Sequence, residues 1–125
     1  MKQNGYGPHL MIDCYGCPRE LLESLEHVYE FLDKSPMIIG MTKITPPYVF
    51  IYNGTVAEEW GVTGVVLIAE SHLTVHTYPE QGVVFLDVFS CRPFNTDTLK
   101  EHCVGHFKPE NFDDVLVYRG REFRR

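Results

Sequence analysis

No stretch of this 125-residue chain approaches the roughly 20 consecutive apolar residues of a membrane-crossing helix, and Met1 to Pro8 holds no apolar core of signal-peptide length. A cytoplasmic location and no membrane partner are the expectations. Basic residues are scarce too: 11 Lys plus Arg stand against 17 Asp plus Glu, a formal charge of -6, and the largest basic cluster is Arg119, Arg121, Arg124 and Arg125. Affinity for nucleic acid comes mainly from neutralising phosphates, so no nucleic-acid partner is expected. Cysteine is limited to positions 14, 17, 91 and 103. These could form two disulfides, but nothing else points to secretion, so thiols are the better reading. Internal repeats and low-complexity tracts are absent. With 44% hydrophobic residues, the chain has the size and composition of one domain, residues 1–125, around one core.

His9 to Tyr15 alternates weakly and reads as a strand ended by Gly16. Pro18 opens a helix at a position where its missing N–H costs nothing, and Glu20 suits the positive first turn. Leu21, Leu22, Leu25, Val28, Tyr29 and Leu32 make an apolar stripe through about Lys34, which Ser35-Pro36 closes. Met37 to Thr45 and Tyr48 to Tyr52 are strand-like, interrupted by Pro46-Pro47. Asn53-Gly54 marks a turn, and Val56 to Gly61 is a loop carrying Glu58, Glu59 and the single tryptophan, Trp60. Strands follow at Gly64 to Ala69, Leu73 to Tyr78 and Val83 to Cys91, joined by a short break at Glu70 to His72 and a turn at Pro79 to Gly82. Asn95 or Thr96 caps a helix from about Asp97 to Val104, and Val115 to Tyr118 is a last strand. The predicted class is α+β: a two-layer α/β sandwich, mainly antiparallel, with two helices on one sheet face.

The segment Glu70-Ser71-His72-Leu73-Thr74-Val75-His76, with Cys91 at the end of the next apolar run, gathers a hydroxyl, an imidazole and a thiol around a tight turn. That is where a chain can break its own peptide bond. If the Pro79 to Gly82 turn sets Tyr78 opposite Val83, then His76 lies opposite Phe85 and residue 70 opposite Cys91. Period-two alternation then puts His76, Tyr78, Asp87 and Cys91 on one face, and Leu73, Val75, Val84, Leu86 and Val88 on the helix-packed face. One residue of slip would send His76 and Cys91 into the core. Taken singly, a strand histidine or a cysteine beside a strand is ordinarily structural.

The block from Gly61-Val62-Thr63-Gly64 through Ala69-Glu70-Ser71-His72 and His76-Thr77-Tyr78-Pro79-Glu80 to Asp87-Val88-Phe89-Ser90-Cys91 resembles the short prokaryotic S-adenosylmethionine decarboxylases. His9-Leu10 with Asp13, Tyr15, Gly16 and Cys17 is similar to that family's opening strand. The resemblance implies a pyruvoyl enzyme of polyamine and spermidine synthesis, made as a zymogen and matured by autocatalytic cleavage. Ser71 would attack the Glu70 carbonyl and replace the amide by an ester, with Thr63 steadying the oxyanion. His76 would remove the Ser71 α-proton, and β-elimination would leave chains 1–70 and 71–125 with a pyruvoyl group in place of Ser71. That group forms a Schiff base with the substrate amine and acts as the electron sink for loss of carbon dioxide. Cys91 would return a proton to the former α-carbon. Glu80 is similar to a substrate-binding residue of the family, and Tyr78 stands where tryptophan is commoner. A homodimer is implied, and no metal.

One departure concerns the substrate. Where the family pattern has a ring-bearing phenylalanine, the ungapped equivalent is Ala57, leaving Trp60 or Phe50 as substitute stacking surfaces. Glu58, Glu59 or Asp87 could pair with a guanidinium or terminal amine, which would suit a pyruvoyl-dependent arginine or ornithine decarboxylase of the same superfamily instead. Less favoured are a noncatalytic homologue and a zinc module built from Cys14, Cys17, His102, Cys103 and His106.

Overall fold

A computed structural model describes residues 5–124; residues 1–4 and 125, which include the start of Met1–Pro8 and the last arginine of the basic tail, lie outside the described residues. Alternating apolar and polar positions build one six-stranded sheet: β1 (Gly7–Tyr15), β2 (Tyr48–Tyr52), β3 (Gly61–Ile68), β4 (Ser71–Tyr78), β5 (Val83–Phe89) and β6 (Asn111–Arg119). Its order is β2-β3-β4-β5-β1-β6, and every neighbouring pair is antiparallel. The helices are α1 (Arg19–Leu22), α2 (Leu25–Ile38) and α3 (Thr96–Phe107), with a single 3-10 turn at Ala57–Glu59. This is the α+β two-layer arrangement expected, with α2 and α3 as its two long helices.

The core fills the space between helices and sheet. From β1 come Leu10 and Ile12; from β4 and β5 come Leu73, Val75, Val84, Leu86 and Val88; from α2 and α3 come Val28, Phe31, Leu32, Leu99 and Phe107, all at most 1% exposed. Thr77 is the polar member of the β4 row. Its Oγ1 donates to the Leu22 carbonyl at 2.7 Å and accepts the Val62 N–H at 2.9 Å, so burial leaves no group unpaired. Among the described residues, no helix covers the opposite sheet face. That face exposes Tyr48, Phe50, Tyr52, Leu67, Phe85, Val115 and Val117.

The first helical region differs from expectation. It breaks at Glu23, and Ser24 caps α2 by accepting the His27 N–H at 3.1 Å. The helix then runs through Pro36, and residues 37–45 contain no strand, only an isolated bridge between Lys43 and Ile68. The stop signal is Gly40, at φ 76°: Met41 N–H bonds back to the Pro36 carbonyl and Gly40 N–H to the Met37 carbonyl, closing the last turn in a Schellman motif. At the other end, α3 begins at its Asn95 cap and reaches Phe107, and β6 starts at Asn111, well before Val115, and ends at Arg119, just past Tyr118.

Candidate functional site

The β4–β5 register is the one set by the Pro79–Gly82 turn, with Tyr78 opposite Val83 and His76 opposite Phe85. His76, Tyr78 and Asp87 therefore face away from the helices, while Leu73, Val75, Val84, Leu86 and Val88 are buried beneath them. Cys91 lies just past the end of β5, and its Sγ accepts the Glu70 N–H at 3.3 Å. The fold thus brings thiol and Glu70-Ser71 junction together across the hairpin. Ser90, fully buried, holds the Cys91 segment: its N–H bonds to the Pro8 carbonyl at 3.0 Å and its Oγ donates to the Arg92 carbonyl at 2.6 Å. That approach needs glycine at position 7, because a Cβ there would sit 2.0 Å from the Ser90 carbonyl oxygen.

On the other side of the same junction, Tyr6 donates its hydroxyl to the Glu70 carbonyl at 3.2 Å. Tyr6 N–H bonds to the Arg119 carbonyl at 2.9 Å, and its ring meets Phe89 at 5.4 Å and the edge of Phe123 at 5.1 Å. The Arg119 guanidinium lies 4.1 Å over the Phe89 ring, and His72 and His9 pack against that ring as well. Burial, and then the nearby His9, lower the His72 pKa below the ordinary imidazole value. His9 Nε2 is 3.1 Å from Asp87 Oδ1. Tyr6, Arg119 and Phe123 are not legible near Ser71 from local pattern; Tyr6 is 64 residues away from Glu70.

Thr63 and His76 form a separate group. They are register partners of β3 and β4, with Thr63 Oγ1 3.1 Å from His76 Nδ1. Five residues of extended strand separate His76 from Ser71, a distance of roughly 17 Å at about 3.3 Å per residue. Within one chain, therefore, His76 does not reach the Ser71 α-proton, and Thr63 stands beside His76 rather than at the Glu70 carbonyl. Around this pair is a cavity of about 390 Å³ lined by Phe50, Tyr52, Glu59, Thr63, His76 and Tyr78. Two residues beyond Tyr78, Glu80 is held by Arg19 at 3.1 Å and by the Trp60 indole N–H at 3.1 Å. Glu58 and Glu59 lie exposed on the 3-10 turn. A larger hollow of about 580 Å³ lies along α2 between Ser24 and Lys34 and includes none of these groups.

The candidate zinc donors do not converge. Cys14 and Cys103 meet at 3.7 Å between sulfurs in the core, while His102 stacks on Phe31 and His106 on His27. Among the described residues, His27, Glu30 and His106 alone bring three ligand atoms within 4.8 Å of one another. Both imidazoles there bond through Nε2 to the other residue's carbonyl at 2.7 Å and lie face to face at 3.7 Å.

Residues 8–120 match the family model described as S-adenosylmethionine decarboxylase. The chain is 33% identical over 117 residues to the S-adenosylmethionine decarboxylase proenzyme of Thermoplasma volcanium, covering 93% of this chain and 85% of that one. It is 34% identical over 122 residues to the proenzyme of Archaeoglobus fulgidus, covering 91% and 97% respectively. The fold is similar to the crystal structure of the adenosylmethionine decarboxylase from Aquifex aeolicus, with a TM-score of 0.80 at 28% identity, over 94% of this chain and 93% of that one.

Proposed function

The chain belongs to the S-adenosylmethionine decarboxylase family, and from that premise we propose that it makes its reactive group from Ser71 by cutting itself between Glu70 and Ser71. It is an autoprocessing, pyruvoyl-dependent carboxy-lyase that converts S-adenosylmethionine to its decarboxylated form for polyamine synthesis. One observation carries the assignment of the junction: the Glu70 N–H rests on the Cys91 sulfur. The residue proposed to move protons at the reacting carbon is thereby held one peptide unit before the bond proposed to break.

The residues around the junction fit a group formed there. Ser71 begins β4, a strand bonded on both sides, so a new terminus at that position is anchored. Once formed, the pyruvoyl group supplies a ketone for the substrate amine and a sink for the electrons left by carbon dioxide. Cys91 Sγ then holds the proton that replaces the lost carboxylate. Phe50, Tyr52 and Tyr78 offer ring faces for the adenine in the cavity beside His76, which compensates for Ala57. Glu80, oriented by Arg19 and Trp60, accepts hydrogen bonds from the ribose hydroxyls.

His76 and Thr63 reach Ser71 if two copies pair through their helix-free sheet faces, each bringing its Thr63–His76 end to the Glu70-Ser71 end of the other. The homodimer is thus part of the site. The apolar content of that face, including Phe50, Leu67, Phe85, Val115 and Val117, supports it as the buried surface.

The test is intact mass spectrometry of purified protein followed by carbon dioxide release from S-adenosylmethionine, arginine and ornithine. Two chains, 1–70 and 71–125, and turnover of S-adenosylmethionine alone are expected, with Ser71→Ala remaining one inactive chain. A wild-type chain that stays whole yet turns over, or turnover of a basic amino acid only, refutes the proposal.

A further inference from the structure

We propose that Tyr6 is a catalytic residue of the self-cleavage, its hydroxyl donating to the carbonyl oxygen that becomes negatively charged when Ser71 attacks Glu70. The proposal rests on the reading of Glu70-Ser71 as the cut bond. In the step concerned, the Ser71 O–H bond breaks and a bond forms from Oγ to the Glu70 carbonyl carbon, pushing the π pair onto the carbonyl oxygen. Collapse returns that pair, expels the amide nitrogen, and the nitrogen takes up a proton equivalent to the one the hydroxyl lost. The products are an ester and a free amine, with no atom gained or lost.

A donor aimed at that oxygen lowers the barrier only if its bond strengthens as charge develops. The Tyr6 bond meets this condition. At 3.2 Å it is long for O–H···O, whose common separation is about 2.7–2.8 Å, so it has room to shorten as the oxygen gains charge. The donor is also held in advance. Its ring is packed between Phe89 and Phe123, its backbone is bonded to Arg119, and a Cβ on Gly120 would lie 2.8 Å from the Tyr6 Cβ, so this contact depends on glycine. Such fixed donors cost little reorganisation at the moment of reaction. The Glu70 N–H is meanwhile committed to Cys91, so the peptide units on both sides of the Glu70 Cα are clamped, one at its N–H and one at its carbonyl. Thr63 of a second copy would add a donor from outside; Tyr6 supplies one from the same chain.

The experiment follows precursor loss by intact mass for wild type, Ser71→Ala and Tyr6→Phe, with and without hydroxylamine, which cleaves esters but leaves the amide intact. Wild-type cleavage and its absence in Ser71→Ala test the junction itself. Tyr6→Phe keeps the ring and should melt with the wild type, yet mature at least tenfold more slowly, with hydroxylamine failing to restore the rate because ester formation is the impaired step. Maturation within twofold of wild type overturns the proposal, as does a slow variant that hydroxylamine returns to the wild-type rate. If Tyr6→Phe does not fold, 3-fluorotyrosine placed at position 6 decides, assayed at a pH where its hydroxyl stays protonated. Its more acidic hydroxyl should speed maturation, and an unchanged or slower rate overturns the assignment.

Discussion

Mixing two inactive variants tests whether the site is shared between copies. His76→Ala lacks the proposed base, and Ser71→Ala lacks the bond-breaking hydroxyl; neither matures alone. The roughly 17 Å between His76 and Ser71 on one strand is far beyond proton-transfer reach, so a chain cannot serve itself. In an equal mixture that exchanges subunits freely, about half of the symmetric dimers become mixed pairs. Each mixed pair joins the Ser71 of one chain to the His76 of the other. About half of the His76→Ala chains should then be cut, or about a quarter of all chains, while every Ser71→Ala chain stays whole. Intact mass spectrometry distinguishes the two parents and their fragments directly. Removing a general base typically costs about 10²–10⁴ in rate, so unmixed His76→Ala gives a low background. No cleavage above that background after verified exchange refutes the shared site, and so does wild-type maturation of the unmixed His76→Ala variant.

Thr77→Val keeps the shape but strands the buried Val62 N–H and Leu22 carbonyl, and should cost about 2 kcal/mol in urea unfolding; a loss below about 0.5 kcal/mol would contradict the pairing. Burial depresses the His106 imidazole to a pKa of about 4 from 6.5. Between those values the unfolded chain binds the proton and the folded one does not, so stability present above pH 6.5 is lost as pH falls toward about 4. His106→Gln should flatten the corresponding slope of Tm against pH, and an unchanged slope would assign the acid sensitivity elsewhere.

The strands and their faces were legible because the Pro79–Gly82 turn fixes a register and period two does the rest. Pro36 misled for a physical reason. A proline near the helix end loses one hydrogen bond but need not stop the helix, and Gly40, able to take positive φ, governs the stop. The sequence also put Ser71 and His76 side by side in an apparent cluster, whereas an extended strand spreads five residues over several turns' worth of helix length. Tyr6, Arg119 and Phe123 carry no local signal for the site. They arrive there because β1 is flanked by β5 and β6, which draws both ends of the described chain toward the head of the β3–β4 hairpin.

That strand order also decides what a cut at residue 70 can release. The fragment 1–70 would own β1, β2 and β3, and the fragment 71–125 would own β4, β5 and β6, so β1 is threaded between two strands of the other piece. Parting them means undoing three separate ladders, β3 with β4, β5 with β1 and β1 with β6. A molecule severed there would behave like two interlocked fingers: covalently in pieces, mechanically whole.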